Sequence, residues 1–336
     1  MRTLFGVMAA LFLALGTLSC NREGGSAGST GDANAVKIGF LVKQPDMNWF
    51  QNEWKFADLA GAKDGFQVIK LGATDGPRTL AAIDNLAAQG AKGFVICTPD
   101  VKLGQAILDR ADRYHMKVMS VDDQFQDSDG KVMQNVHHMG ITAKDIGYRV
   151  GKALADEMKK RNWTFADSGA AILTYDEFDT ARERTEGAIA ALKEAGFPED
   201  RMFKSPEKDT NIAGGRDAMN AALTRHSEVK NWLIAGINDD TVVGGLNAAE
   251  NRGFSAEQVI AVGIGGDAGI PQFQQETPTG FVASVLISPK RHGYETAELM
   301  YRWIKDGVEP PMTTWTQGIL IDRDNYKQML KEQGLD

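Results

Sequence analysis

The chain has 336 residues, 43% of them hydrophobic, with 37 Lys and Arg against 45 Asp and Glu, a formal charge of −8. An acidic chain without a basic stretch lacks the electrostatic footprint of a nucleic-acid binder, so no nucleic-acid partner is expected. Its two cysteines, Cys20 and Cys97, are too few for a disulfide framework.

Residues 1–20 start with Arg2, continue as an apolar run broken by small residues, and end Leu18-Ser19-Cys20. This is a secretory signal, too short and wrongly flanked for a membrane span. Ser19-Cys20 matches the end of a bacterial lipoprotein cleavage site and makes Cys20 the lipidation candidate. Thr17 stands where Leu is more usual, so ordinary cleavage nearby with an incidental Cys20 is the alternative. Residues 21–35 are rich in Gly, Ser and Asn and read as a flexible tether. The remainder is expected outside the cytoplasm, in the periplasm, membrane-anchored through Cys20 where that residue is acylated.

From residue 36 onward, apolar runs of strand length alternate with helical periodicity. Strands are predicted over 37–42, 67–71, 93–98, 117–121, 169–174, 232–235, 259–263 and 284–288. Helices are predicted over 52–64, 79–88, 104–114, 143–161, 181–195, 213–225, 241–251 and 292–305. Continuous apolar strands, each followed by a helix, imply parallel sheets covered on both faces, with right-handed crossovers. The predicted fold is α/β, two doubly wound lobes joined by a hinge of more than one strand. Residues 36–141 with 288–316 form the first lobe, and 142–287 with 317–336 the second. Residues 136–140, with the pair His137-His138, read as an irregular first passage between the lobes.

In such sheets ligands bind beyond the carboxyl ends of strands. Lys43, Asp46, Trp49 and Phe50 follow the first strand and offer charges for hydroxyls and aromatic faces for C–H patches. Asp122 and Asp123 end another strand; adjacent carboxylates are costly unless paired, though Asp is also a common turn residue. Neighbours on one strand point oppositely, which disfavours the two-carboxyl arrangement of a glycosidase. In the second lobe Phe178, Thr180 and Arg184 lead into a helix that Asp179 or Thr180 would cap. An Arg so near a helix start opposes the dipole unless it serves something else, and its fork suits a ring oxygen with a neighbouring hydroxyl. Asn238 directly follows a strand, and an amide both donates and accepts. Gly265, Gly266 and Asp267 end another. There is no phosphate-binding glycine motif, no zinc-ligand spacing around His137-His138 and no nucleophile elbow, so neither metal, cofactor nor catalytic centre is expected. Cys97 reads as a buried, unreactive thiol.

The stretches GFLVKQP (39–45), GAKGFVICTPD (90–100), VDDQF (121–125), FDTARER (178–184) and EVK to ND (228–239) carry a family resemblance, continued by EPP (309–311) and RDN (323–325). Together they resemble the type I periplasmic sugar-binding proteins, and among them the L-arabinose-binding group of bacterial ABC transporters, across 36–335. The resemblance implies a monomeric clamshell that binds a monosaccharide, L-arabinose or a related aldose such as D-galactose, and delivers it to a membrane permease driven by a cytoplasmic ATPase. Presentation of the sugar to a chemoreceptor or sensor kinase is the alternative. It further implies ligand contacts from Lys43, Trp49, Phe50, Asp122, Asp123, Phe178, Thr180, Arg184 and Asn238. Asp123 would meet the anomeric hydroxyl and Arg184 the ring oxygen. The chain departs from the pattern at four places. Met47 replaces a contacting Glu, with Asp46 as the candidate substitute. Ile141 and Ile237 replace methionines of the pocket. Gly265 falls where the family has a second binding Asn, with Asp267 the candidate replacement. A LacI-like effector domain shares the fold, but the leader and the lack of a helix-turn-helix before residue 36 argue against it.

Overall fold

The computed structural model describes residues 35–266 and 268–335. The leader, Cys20, nearly all of the tether and Asp267 lie outside the described residues. Strand and helix alternate: β1 (Lys37–Val42), α1 (Asn48–Asp64), β2 (Gln67–Gly72), α2 (Gly76–Ala88), β3 (Gly93–Ile96), α3 (Gly104–Arg113), β4 (Lys117–Asp122) and β5 (His137–Ile141). After them come α4 (Ala143–Lys160), β6 (Ser168–Thr174), α5 (Asp179–Glu194), β7 (Met202–Pro206), α6 (Ile212–Arg225), β8 (Asn231–Ala235), α7 (Asp239–Asn251), β9 (Val259–Gly265), α8 (Gly269–Phe273) and β10 (Phe281–Leu286). A π-helical turn, Arg291–Glu295, leads into α9 (Thr296–Asp306), and β11 (Thr313–Thr316), β12 (Ile319–Asp322) and α10 (Tyr326–Gln333) follow.

The strands form two six-stranded sheets, ordered β11-β5-β4-β3-β1-β2 and β12-β10-β9-β8-β6-β7. The first is parallel throughout. In the second, only β12 runs antiparallel, against β10. Strand periodicity divides each sheet's side chains between two cores. Ile38, Phe40 and Val42 face α1 and α9, whereas Leu41, with Phe94 and Ile96 of β3, faces α2 and α3. In the second sheet Ala170 and Ile172 face α4 and α5, whereas Ala171 and Leu173 face α6 and α7. Both faces are thus dry, which is why the strands read as unbroken apolar runs.

The chain passes between the sheets three times: at Thr142 between β5 and α4, between β10 and the π-turn, and between β11 and β12. Two of these passages are stitched together where the Thr142 amide donates to the Thr316 carbonyl at 2.9 Å.

The segment at His137-His138, expected to be irregular, is a strand. Two histidines and a glycine give no β-branched signal, and β5 exists because β4 and the distant β11 pair with it on either side. His138 is buried, bonds to Ser120 Oγ at 2.9 Å, and burial pushes its imidazole down to about 4, so it is neutral near pH 7. Helix α1 begins at Asn48, earlier than its periodicity predicts, so Trp49 and Phe50 lie in its first turn. Helix α5 is not capped by Asp179 or Thr180: Phe178 holds the N-cap position with extended backbone and no side-chain bond. Strands β7, β11 and β12 and helices α8 and α10 have no counterpart in the sequence reading; β7 alternates too weakly and the others are short.

Candidate functional site

Beyond the carboxyl ends of β1, β4, β6, β8 and β9 lies a cavity of about 310 Å³ walled by both sheets' loops, at the small end of the range for small-molecule sites. Lys43, Trp49, Phe50, Asp122, Asp123, Ile141, Phe178, Thr180, Arg184, Ile237, Asn238 and Gly265 all line it. Asp46 does not: it is exposed in the turn before α1, and Met47 faces the cavity instead.

The first lobe's polar groups hold one another. Lys43 Nζ lies 2.5 Å from Asp123 Oδ2. Burial works most strongly against the Lys43 charge, but Asp123 and, to a smaller extent, neighbouring groups including Asp122 together hold the ammonium above its ordinary value. Burial likewise opposes ionisation of Asp123, and Lys43, Thr180 and Arg184 together bring its carboxyl below the usual range. Asp122, one residue back, has left-handed backbone with φ 64°, uncommon for a non-glycine, and its carboxylate turns elsewhere. Its Oδ2 accepts from Trp49 Nε1 at 3.1 Å and its Oδ1 meets His292 Nδ1 at 2.7 Å. The adjacent acids therefore serve two separate networks. Cys97 is buried beneath the pair, its Sγ 3.6 Å from Asp123 Oδ2, and burial pushes its thiol up, as expected of an unreactive cysteine.

The second lobe's polar groups are held by backbone. Arg184 Nη1 donates to the Ile237 carbonyl at 2.5 Å, while its buried Nε has no partner among the described residues. Burial lowers the guanidinium's pKa, against the pull of Asp123 and Asp122. Its placement depends on close packing of α4 and α5. A Cβ on Gly147 would come within 1.8 Å of the Arg184 carbonyl, and one on Gly187 within 2.1 Å of the Lys144 carbonyl. Asn238 caps α7: its Oδ1 accepts from the Thr241 amide and its Nδ2 donates to the Thr210 carbonyl, both at 2.9 Å. One amide proton and one lone pair remain for a ligand.

Gly265 has φ 124°, a backbone that side chains rarely adopt, and among the described residues a Cβ there would meet nothing nearer than Asp239 Oδ2 at 3.9 Å, which leaves space beside the cavity. Asp239 shapes this loop by accepting from Ser284 Oγ at 2.7 Å and the amides of Gly266 and Gly269 at 2.7 and 3.0 Å. Burial still raises its carboxyl to about 6.

The two walls meet across the cleft. Thr180 Oγ1 donates to Asp123 Oδ1 at 2.6 Å, Lys43 Nζ sits 4.1 Å from the Phe178 ring centre, and Gln44 Nε2 donates to Thr210 Oγ1 at 3.3 Å. Gln126 also donates to Asp179. Trp49 packs against the cores of both sheets. Sequence reasoning missed Tyr175, Asp209, Thr210 and Asp240 in the wall; Asp209 and Thr210 follow β7, the strand it did not detect.

The chain is 50% identical to the L-arabinose-binding periplasmic protein of Escherichia coli strain K12, over 90% of this chain and 92% of that one. It is 45% identical to the ABC transporter L-arabinose-binding periplasmic protein of Azospirillum brasilense, over 89% and 90%. Its fold is similar to the crystal structure of the Caulobacter myo-inositol binding protein, with a TM-score of 0.75, 19% identity and coverage of 90% of this chain and 98% of that one. The model of periplasmic binding proteins and the sugar-binding domain of the LacI family matches residues 35–329. With its paired α/β lobes and interlobe cavity, the chain belongs to that family, whose members bind their substrates rather than transform them.

Proposed function

We propose that the chain captures a monosaccharide, L-arabinose or a related aldose such as D-galactose, in the periplasm and delivers it to the permease of an ABC transporter. The observation that carries this reading is the buried Arg184 Nε, a charged donor without a partner among the described residues, opposite the Lys43–Asp123 pair in a cavity that also offers Trp49, Phe50 and Phe178. A buried donor is costly unless something accepts from it, and a sugar ring oxygen is a fitting acceptor. Asp123, ionised and already accepting from Lys43 and Thr180, has lone pairs left for a hydroxyl. The likeness to two L-arabinose-binding proteins supports the same choice of ligand.

In this reading the lobes, 36–141 with 288–316 and 142–287 with 317–336, close because each supplies groups that reach the sugar only when both are present; binding therefore favours the closed form. Acting as a monomer, the closed form docks on the permease. Export by residues 1–20, with Cys20 acylated and residues 21–35 as tether, keeps it at the membrane. Met47 and Gly265 each remove a polar contact worth ~1–3 kcal/mol, so the preference among aldoses is set by what fills the space beside Gly265.

Calorimetric titration of ligand-stripped protein with L-arabinose, D-galactose, D-fucose, D-xylose, D-ribose and D-glucose tests the reading. One-to-one binding is expected, with L-arabinose or D-galactose tightest. Folded protein that binds none of the six would remove the sugar assignment.

A further inference from the structure

Behind the cavity wall lies a polar cluster that the proposed contacts do not use. Glu53 on α1 and His292 on the π-turn are both fully buried, and neither lines the cavity. His292 Nδ1 stands 2.7 Å from Asp122 Oδ1 and its Nε2 stands 2.8 Å from Thr316 Oγ1. A carboxylate so close requires a proton on Nδ1, whereas the Thr316 hydroxyl can donate to or accept from Nε2. The imidazole also meets the Trp49 ring edge-on, with centroids 5.3 Å apart.

The local backbone is built to bring these groups together. A single π-turn inside a helix is rare and costs regular hydrogen bonding. Here it contains Gly293, where a Cβ would come within 2.2 Å of the Glu53 carbonyl. Glycine thus lets the π-turn press onto α1 and swings His292 under Asp122. Thr316, at the other end of His292, accepts the Thr142 amide on its carbonyl, and its hydroxyl, with one proton to give to either Nε2 or a carbonyl, also lies 3.2 Å from the Gly140 carbonyl. His292, Thr316 and Thr142 adjoin the three different passages between the lobes.

Glu53, Asp122 and His292 bring potential ligand atoms within 4.8 Å of one another, which invites a metal reading. The Nδ1–Oδ1 separation of 2.7 Å argues against it, since two ligands of a tetrahedral ion with ~2.0 Å bonds stand ~3.3 Å apart. Burial, then the Asp122 carboxylate, push the Glu53 carboxyl well above its usual range.

We propose that His292 is a positioning residue: braced on Thr316, it fixes the Asp122 carboxylate, which orients the Trp49 indole and so ties a ligand-contacting ring to the passages between the lobes. The role of Trp49 as a ligand contact rests on the function proposed above. The inference goes further, since it places control of that contact in side chains outside the cavity.

The test compares His292→Gln with His292→Asn in the full chain. Asn presents an amide where Nδ1 stood and keeps the donor to Asp122; Gln presents it where Nε2 stood and loses that donor. The readouts are the Trp49 indole N–H resonance, identified by its absence in Trp49→Phe, and L-arabinose affinity. His292→Gln is expected to move the resonance and weaken binding about tenfold, while His292→Asn largely restores both. Equal effects of the two variants, or no effect of either, would overturn the proposal, as would a moved resonance with unchanged affinity. If His292→Gln does not fold, Thr316→Val against Thr316→Ser replaces it: valine is expected to move the resonance and serine to restore it, and no movement with valine would overturn the proposal. Should the wild type bind none of the aldoses, the sugar reading fails, and the indole resonance of the unliganded variants still decides the positioning role.

Discussion

The two lobes prepare their sides of the cavity in different ways. In the first, side chains hold each other: Lys43 pairs with Asp123, and Asp122 accepts from Trp49 and His292. In the second, Arg184 and Asn238 are aimed by backbone carbonyls and amides, on helices packed so tightly that glycine is required at the contacts. The first wall should therefore be sensitive to loss of one charge, and the second to addition of one methyl group.

The largest effect is expected from Lys43→Met. Removing one partner of a buried pair leaves an uncompensated charge, a loss of ~3–5 kcal/mol in stability, and sugar affinity should fall at least ~100-fold by calorimetry. Because Asp123 is held below its ordinary value, its contribution is present above pH ~3.9 and lost as pH falls through the depressed value. Denaturation of wild type and variant should therefore converge in acid. A variant as stable as wild type at pH 7 would deny that the first wall depends on this pair.

Next in size is Gly147→Ala, whose new Cβ would lie 1.8 Å from the Arg184 carbonyl. Overpacking of this kind costs ~1–3 kcal/mol, read as an earlier urea midpoint. It should also weaken sugar binding, since α5 carries Arg184. Reduced stability with unchanged affinity would separate the helix contact from the site and break the contrast between the walls.

The smallest effect has the opposite sign. Glu207, just past β7, is buried, and burial raises its carboxyl to about 8, with only partial relief from Thr241. The folded state keeps a proton that the unfolded state has released, so the cost is absent below pH ~4.3 and grows until the pH passes the folded value. Glu207→Gln should raise the melting temperature at pH 8 by about 2–4 °C per kcal/mol recovered and leave it unchanged at pH 4. A gain of equal size at both pH values would mean that ionisation is not the cause.

Much of this was legible in the sequence because buried parallel strands announce themselves as apolar runs, and the cavity follows their carboxyl ends. Lys43, Asp123, Arg184 and Asn238 were found in that way. The strand β5 was not, because its pairing partners rather than its His-His-Met-Gly composition make it a strand. Asp46 looked like a substitute for the Glu that Met47 replaces, but the turn exposes it; one residue along a chain entering a helix is enough to turn a side chain away. Glu53 and His292 carried no local signal, since a lone His and Glu on helical segments far apart in sequence meet only after α1 and the π-turn pack through Gly293.

The central claim is that both walls grip one sugar, and a crystal structure of the L-arabinose complex addresses it most directly. The expected result is a single sugar within hydrogen-bonding distance of Lys43 and Asp123 on one side and of Arg184 Nε and Asn238 on the other, with Trp49 against its apolar face. A sugar bound to one lobe alone, or an Arg184 Nε still without an acceptor in the complex, would contradict the account.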